Sequence, residues 1–188
     1  MSEQTAAIVA ELLRGRRTVH NFKPAPVPPR EAVMRALELA RWAPNHRLTE
    51  PWRFYMIGPQ TREAIVELNT ETLIASKGRE AAEAKARRWR SIPGWVVVTC
   101  QKSADPIQAQ EDYAACACAI YGFMLALWSE GIGAKWSTGP VIREPRFYDL
   151  IWVDPEAEEV VGLVWYGYAE DIGQTTRKPL AECLVELP

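Results

Sequence analysis

From Ala114 to Trp128 the chain runs without a single charged residue, and no other stretch limits its fold as much. The flanking residues extend this run into a helical pattern over about 108–130, which Gly131 stops. A helix that is apolar all round has no face to give to water, so other elements must wall it in. The uncharged core of 15 residues is shorter than the roughly 20 needed to cross a bilayer. It therefore reads as the central helix of a globular core. A chain of 188 residues suffices for one domain over 1–188 that encloses such a helix, or for a protomer completed by a partner.

The remaining elements are short and mixed. Residues 5–14 form a first helix with Ile8, Val9, Leu12 and Leu13 on one face, ended by Gly15. Pro24, Pro26, Pro28 and Pro29 enforce an extended connector, and Pro29 suits the first turn of a second helix carrying Val33, Leu37 and Ala40 inward. Pro44 breaks that helix. The polar segment Asn45–Glu50 then leads through Pro51 into a strand over 52–57, anchored by Trp52. Helices are expected over 61–69 and 80–90; the second, with its interleaved acids and bases, reads as a solvated face with Trp89 alone on it. Strands are expected over 95–101 and 160–168, with a glycine-punctuated loop over 131–140 and a short helix over 143–150. The tail from Ala169 has little periodicity yet carries Leu180, Leu184, Val185 and Leu187, a pattern that gains most by docking on another subunit. Helices and strands do not alternate as βαβ units, so the class is α+β, a small sheet with helices packed on it.

The net charge of −2 gives no global field for nucleic acid or an acidic membrane, so any phosphate site must be a local cluster of cations. Cys100, Cys116, Cys118 and Cys183 lack the spacing of a zinc or redox site and read as reduced, buried cysteines of a cytoplasmic protein; no metal is expected. The first residues show no basic-then-apolar export signal, which agrees.

Several landmarks fall in a recognisable order. They are Arg16-Arg17-Thr18 after the first helix, a helix ending in Ala43-Pro44, Pro51-Trp52-Arg53-Phe54 entering a strand, the long apolar helix, Gly131-Ile-Gly133 through Trp136-Ser137-Thr138-Gly139, and Arg177-Lys178 after the last strand. As an ordered set spanning nearly the whole chain they resemble the FMN-dependent nitroreductases, and most closely the small single-domain NAD(P)H nitroreductases. The resemblance implies a small, mostly antiparallel central sheet flanked by helices, a long buried core helix, and a C-terminal tail extending onto the partner subunit. It implies a homodimer whose protomers share each flavin site, FMN as cofactor, NADPH or NADH as co-substrate, and ping-pong reduction of nitroaromatics, quinones or enones. Arg16, Arg17 and Thr18 would bind the flavin phosphate-ribityl end or pyrimidine edge, with His20 where the family often has a third cation. Arg177 and Lys178 would form a second phosphate clamp. Trp136, Ser137 and Thr138 would lie along one face of the flavin. Trp42 and His46 would approach a flavin held largely by the neighbouring chain, His46 as hydrogen-bond partner or proton donor. The alternatives are a flavin-dependent dehalogenase or flavin-modifying enzyme of the same superfamily, or a helical binding protein without a cofactor.

Overall fold

The computed structural model describes residues 2–188. Four strands, β1 (Trp52–Met56), β2 (Gly94–Gln101), β3 (Gly133–Ser137) and β4 (Glu158–Gly167), form an antiparallel sheet in the order β1-β2-β4-β3. Helices α2 (Arg30–Ala40) and α5 (Pro106–Ser129) cover one face; α3 (Pro59–Lys77), α4 (Arg79–Arg90) and α6 (Pro145–Ile151) cover the other. Strand β2 is buried from Gly94 to Cys100 because both its faces are covered. Val96, Val98 and Cys100 meet α2 and α5, while Trp95 and Val97 meet the opposite layer. This is the α+β arrangement that the sequence implies.

Helix α5 starts on an Asp105 cap whose carboxylate accepts from the Ile107 N–H at 2.9 Å. Ile120, Phe123 and Leu127, at helical spacing, have no solvent exposure. Each such side chain contributes about 1.5–3 kcal/mol by leaving water. The enclosure is one-sided, however: Tyr113, Ala114, Cys118 and Tyr121 of the same helix are exposed. Helix α1 (Glu3–Gly15) forms as expected but buries none of its residues; Ile8, Val9 and Leu13 remain about half exposed. Two apolar faces that the sequence sends inward thus lie on the outside of this protomer.

Four other expectations need correction. The segment 131–140 contains strand β3, because Gly131 turns the chain at φ 75° and Gly133 lets it approach the segment after α1. A Cβ on Gly133 would stand 2.4 Å from Val19 Cγ2. With glycine there, Val19 N–H donates to the Ala134 carbonyl at 3.1 Å and Thr18 bridges Ala134. Trp89 does not sit on a solvated face: it is 4% exposed and packs edge-on against Trp95 and Trp165, with centroids 5.5 and 5.0 Å away. Cys100 and Cys116 are buried and free as expected, but Cys118 and Cys183 are exposed. Helix α3 runs on to Lys77, its end marked by Gly78 at φ 82°.

Candidate functional site

Two stretches far apart in sequence meet beyond the end of β4. Lys23 N–H donates to the Tyr168 carbonyl at 2.9 Å, Phe22 bridges Ala169, and Glu170 N–H donates to the Asn21 carbonyl at 3.0 Å. This short antiparallel zipper turns the tail back, so that Arg177 arrives beside the C-terminal end of α1. The result is a cleft of about 280 Å³ lined by Arg16, Arg17, Thr18 and His20 on one side and by Thr175 and Arg177 on the other. No carboxylate lines it.

The guanidinium groups are not equivalent. Arg17 Nη1 donates to the carbonyls of Arg14 and Arg16 at 2.5 and 3.0 Å. Arg177 Nη1 donates to Thr175 Oγ1 and the Thr176 carbonyl at 2.9 and 3.0 Å. Arg16, by contrast, has its Nε buried without any hydrogen-bond partner, and its Cζ stands 5.8 Å from the Tyr121 ring centroid. A buried donor with no acceptor costs about 1–3 kcal/mol until one arrives. Lys178 lies outside this cleft, largely exposed and 3.7 Å from Glu182.

His20 joins the cleft to the sheet. Its Nδ1 is 3.3 Å from Lys135 Nζ, and its backbone carbonyl accepts from Arg88 Nη2 at 3.0 Å. Burial, then the charges of Lys135 and Arg88, pull its pKa below the ordinary 6.5, against an opposing pull from Asp171. The unfolded chain therefore binds this proton more readily, so the His20 contribution to stability is present above about 6.5 and is lost as pH falls from there through the lower pKa of the folded state. Lys85 and Arg88 carry no signature in the sequence, because α4 there reads as an ordinary mixed-charge helix, and Lys135 stands in the segment that reads as a loop.

Strand β3 presents Trp136, Ser137 and, just beyond it, Thr138, none of which lines the cationic cleft. Trp136 is fixed from two sides: its Nε1 donates to the Val161 carbonyl at 3.2 Å, and its ring covers Gly162 of β4. A Cβ on Gly162 would sit 2.0 Å from Nε1. The Gly162→Ala variant should therefore push the indole out of place and lose about 1–3 kcal/mol as an overpacked site. A thermal midpoint equal to wild type, with unchanged near-ultraviolet circular dichroism, would show that the ring adapts freely.

Between α2 and β1 the chain makes an unusual turn in which Arg47, Leu48 and Glu50 all take left-handed backbone angles, at φ 61°, 51° and 44°. Such conformations cost energy in non-glycine residues and persist where neighbours over-determine them. Here the neighbours are explicit. Asn45 Oδ1 accepts from Glu50 N–H at 2.6 Å, and Asn45 Nδ2 donates to Thr49 Oγ1 at 3.0 Å. Thr49 Oγ1 donates to Asp112 Oδ1, which also accepts from Gln108 Nε2 at 2.9 Å. His46 Nδ1 lies 2.7 Å from Glu111 Oε2. The loop is thus bolted to the first turns of α5 by acids the sequence does not flag. Trp42, 76% exposed, stands apart from the cationic cleft in an apolar groove of about 520 Å³ shared with Leu39, Pro44, Cys118 and Tyr121.

With this geometry established, likeness to known proteins becomes informative. A protein of Bacillus subtilis (strain 168) named "Putative NAD(P)H nitroreductase YfhC" is 26% identical over 187 residues, covering 96% of this chain and 95% of that protein. The crystal structure of a nitroreductase-like family protein from Bacillus cereus superposes with a TM-score of 0.84 at 28% identity, covering 95% of each chain. The FMN-dependent nitroreductase NfnB of Mycobacterium smegmatis, solved with NADPH, shares the fold with a TM-score of 0.78 at 18% identity, over 98% of this chain and 100% of that one. The sequence model of the nitroreductase family matches residues 13–168, everything from the end of α1 to the end of β4, and the chain belongs to that family.

Proposed function

We propose that this chain is an FMN-dependent oxidoreductase, one domain over residues 1–188, that uses NADPH or NADH to reduce small electron-poor acceptors by a ping-pong cycle. The observation that carries the reading is the convergence of Arg16, Arg17, Thr18, His20 and Arg177 on one cleft free of carboxylates, with the buried Arg16 Nε lacking an acceptor. A phosphate dianion fits this donor set: it brings the missing acceptor, and planar guanidinium groups meet it in a bidentate way that an ammonium cannot. The names of relatives, FMN-dependent for NfnB and NAD(P)H nitroreductase for YfhC, support the same ligands.

When bound, FMN supplies the hydride chemistry between the nicotinamide and the acceptor. The protein supplies position and charge. Arg16, Arg17, Thr18 and Arg177 hold the phosphate; His20 is the neighbouring donor; Trp136, Ser137 and Thr138 offer a wall and uncharged donors. His46, its Nδ1 held by Glu111, offers Nε2 as hydrogen-bond partner or proton donor to an acceptor at the neighbouring protomer's site. That role needs a second copy of the chain. The exposed face of α5, the unburied stripe of α1, the groove around Trp42 and the uncovered tail residues are the surfaces a homodimer would close. The four unpaired thiols suit a reducing cytoplasm.

The test is direct: purified protein should be yellow, release FMN on denaturation, and bleach with anaerobic NADPH or NADH. A colourless protein that refuses added FMN overturns the proposal. A second prediction isolates the cleft. The chain has two histidines, so a nuclear magnetic resonance titration with His46→Gln as control reads His20 alone. Its midpoint should lie below 6.5 without ligand and rise when sulfate, which does not titrate in this range, fills the cleft. A midpoint insensitive to sulfate would mean that anions do not enter there.

A further inference from the structure

His20 also belongs to a second group of cations, made by Lys85 and Arg88 of α4 and Lys135 of β3. Lys135 Nζ is 3.3 Å from His20 Nδ1, and Arg88 Nη2 is 3.0 Å from the His20 carbonyl. Both ammonium groups are seated on the tryptophan cluster, Lys85 Nζ 5.0 Å from the Trp89 centroid and Lys135 Nζ 5.2 Å from that of Trp165. Elsewhere on α4, Arg79 pairs with Glu83 and Arg90 with Glu63. Among the described residues, Lys85, Arg88 and Lys135 have no carboxylate within 4.0 Å. Burial, followed by the charges of Arg88 and Lys85, holds Lys135 below the usual lysine range; burial, followed by Lys77 and Arg88, does the same to Lys85. Lys85 and Lys135, half-buried beside the exposed Arg88 and without an acid in reach, are unfavourable as cations until an anion joins them.

The phosphate cleft next door already has three guanidinium groups for one dianion, so Lys85, Arg88 and Lys135 are surplus to FMN, with His20 at the boundary between the two groups. Three cations and a histidine on one patch, in a chain of net charge −2, match a single phosphate monoester and not a nucleic-acid backbone. Of the two co-substrates that the flavin reading allows, only NADPH carries such a group. We infer that Lys85, Arg88, Lys135 and His20 form a second anion subsite that takes the 2′-phosphate of NADPH and thereby selects it over NADH. This rests on the FMN-dependent reading above.

The experiment is calorimetric titration of the FMN-loaded protein with 2′,5′-ADP and with 5′-AMP, at low and at high potassium chloride. The inference expects 2′,5′-ADP to bind at least tenfold more tightly, with the gap narrowing in salt. The Lys85→Gln, Lys135→Gln double variant should close the gap while keeping its flavin absorbance, and the corresponding double arginine variant should retain it. Equal affinity for the two nucleotides in the wild type overturns the inference, as does a gap that survives the double glutamine change. A double glutamine variant that loses its flavin assigns the cluster to FMN and also overturns it. Flavin absorbance of the same samples separates the two readings: a yellow protein without the gap sinks only the NADPH subsite, whereas a colourless wild-type protein sinks the flavin reading and this one together.

Discussion

The Arg16→Ala variant should bind FMN on the order of a hundredfold more weakly, a loss of about 2–3 kcal/mol, the range for removing a charged hydrogen-bond donor. The reason for choosing Arg16 over its neighbour is geometric. Arg17 spends its Nη1 on two backbone carbonyls that hold its side chain, whereas Arg16 buries an Nε that has no acceptor. The same fact predicts an asymmetry between affinity and stability. Without ligand, removing an unsatisfied buried donor relieves a cost that offsets the lost contact with Tyr121, so the thermal midpoint of the ligand-free variant should stay within a few degrees of wild type. With FMN in excess the wild type should gain stability and the variant should not. Arg16→Lys restores charge without the planar fork and should fall between the two. Fluorimetric FMN titration, beside melting curves with and without FMN, reads all three variants. Wild-type affinity in Arg16→Ala would remove this residue from the site.

The frame of the molecule was legible because its signals are local. The uncharged run of α5, the proline-delimited α2 and the β-rich residues of β2 and β4 each state their own conformation, and the structure forms them near the expected bounds. Gathering Arg16, Arg17 and Arg177 in one cleft came from the resemblance and not from periodicity: nothing in the composition of residues 169–177 announces the zipper with residues 21–23 that brings them round. What stayed hidden depends on partners distant in sequence. Segment 131–140 looks like a loop because its glycines are read as punctuation, yet Gly133 is what allows Val19 and Ala134 to pair. Trp89 looks solvated because α4 is strongly charged, and only the register Trp95↔Trp165 across β2 and β4 reveals the aromatic cluster that buries it. The acids that fix the His46 loop, Glu111 and Asp112, stand about sixty residues away in sequence.

Deleting residues 173–188 should convert the proposed dimer into a monomer and strip it of flavin. The cut leaves intact the zipper of Ala169 and Glu170 with residues 21–22, so the protomer keeps the contacts that close its sheet. What goes are Leu180, Leu184, Val185 and Leu187, all of them 52–83% exposed in the protomer. Each contributes about 1.5–3 kcal/mol if a partner buries it fully. Added to burial of the α1 and α5 faces, even one such side chain changes dimer affinity by an order of magnitude or more, at about 1.4 kcal/mol per factor of ten. Because the deletion also removes Arg177, flavin loss alone would be ambiguous. Full-length Arg177→Ala resolves it, since that variant should remain dimeric in sedimentation equilibrium while losing FMN affinity. A truncated protein that stays dimeric and yellow would show that the tail's leucines cover nothing. A truncated protein that stays dimeric but loses FMN to the same degree as Arg177→Ala would reduce the tail to a carrier for one guanidinium group.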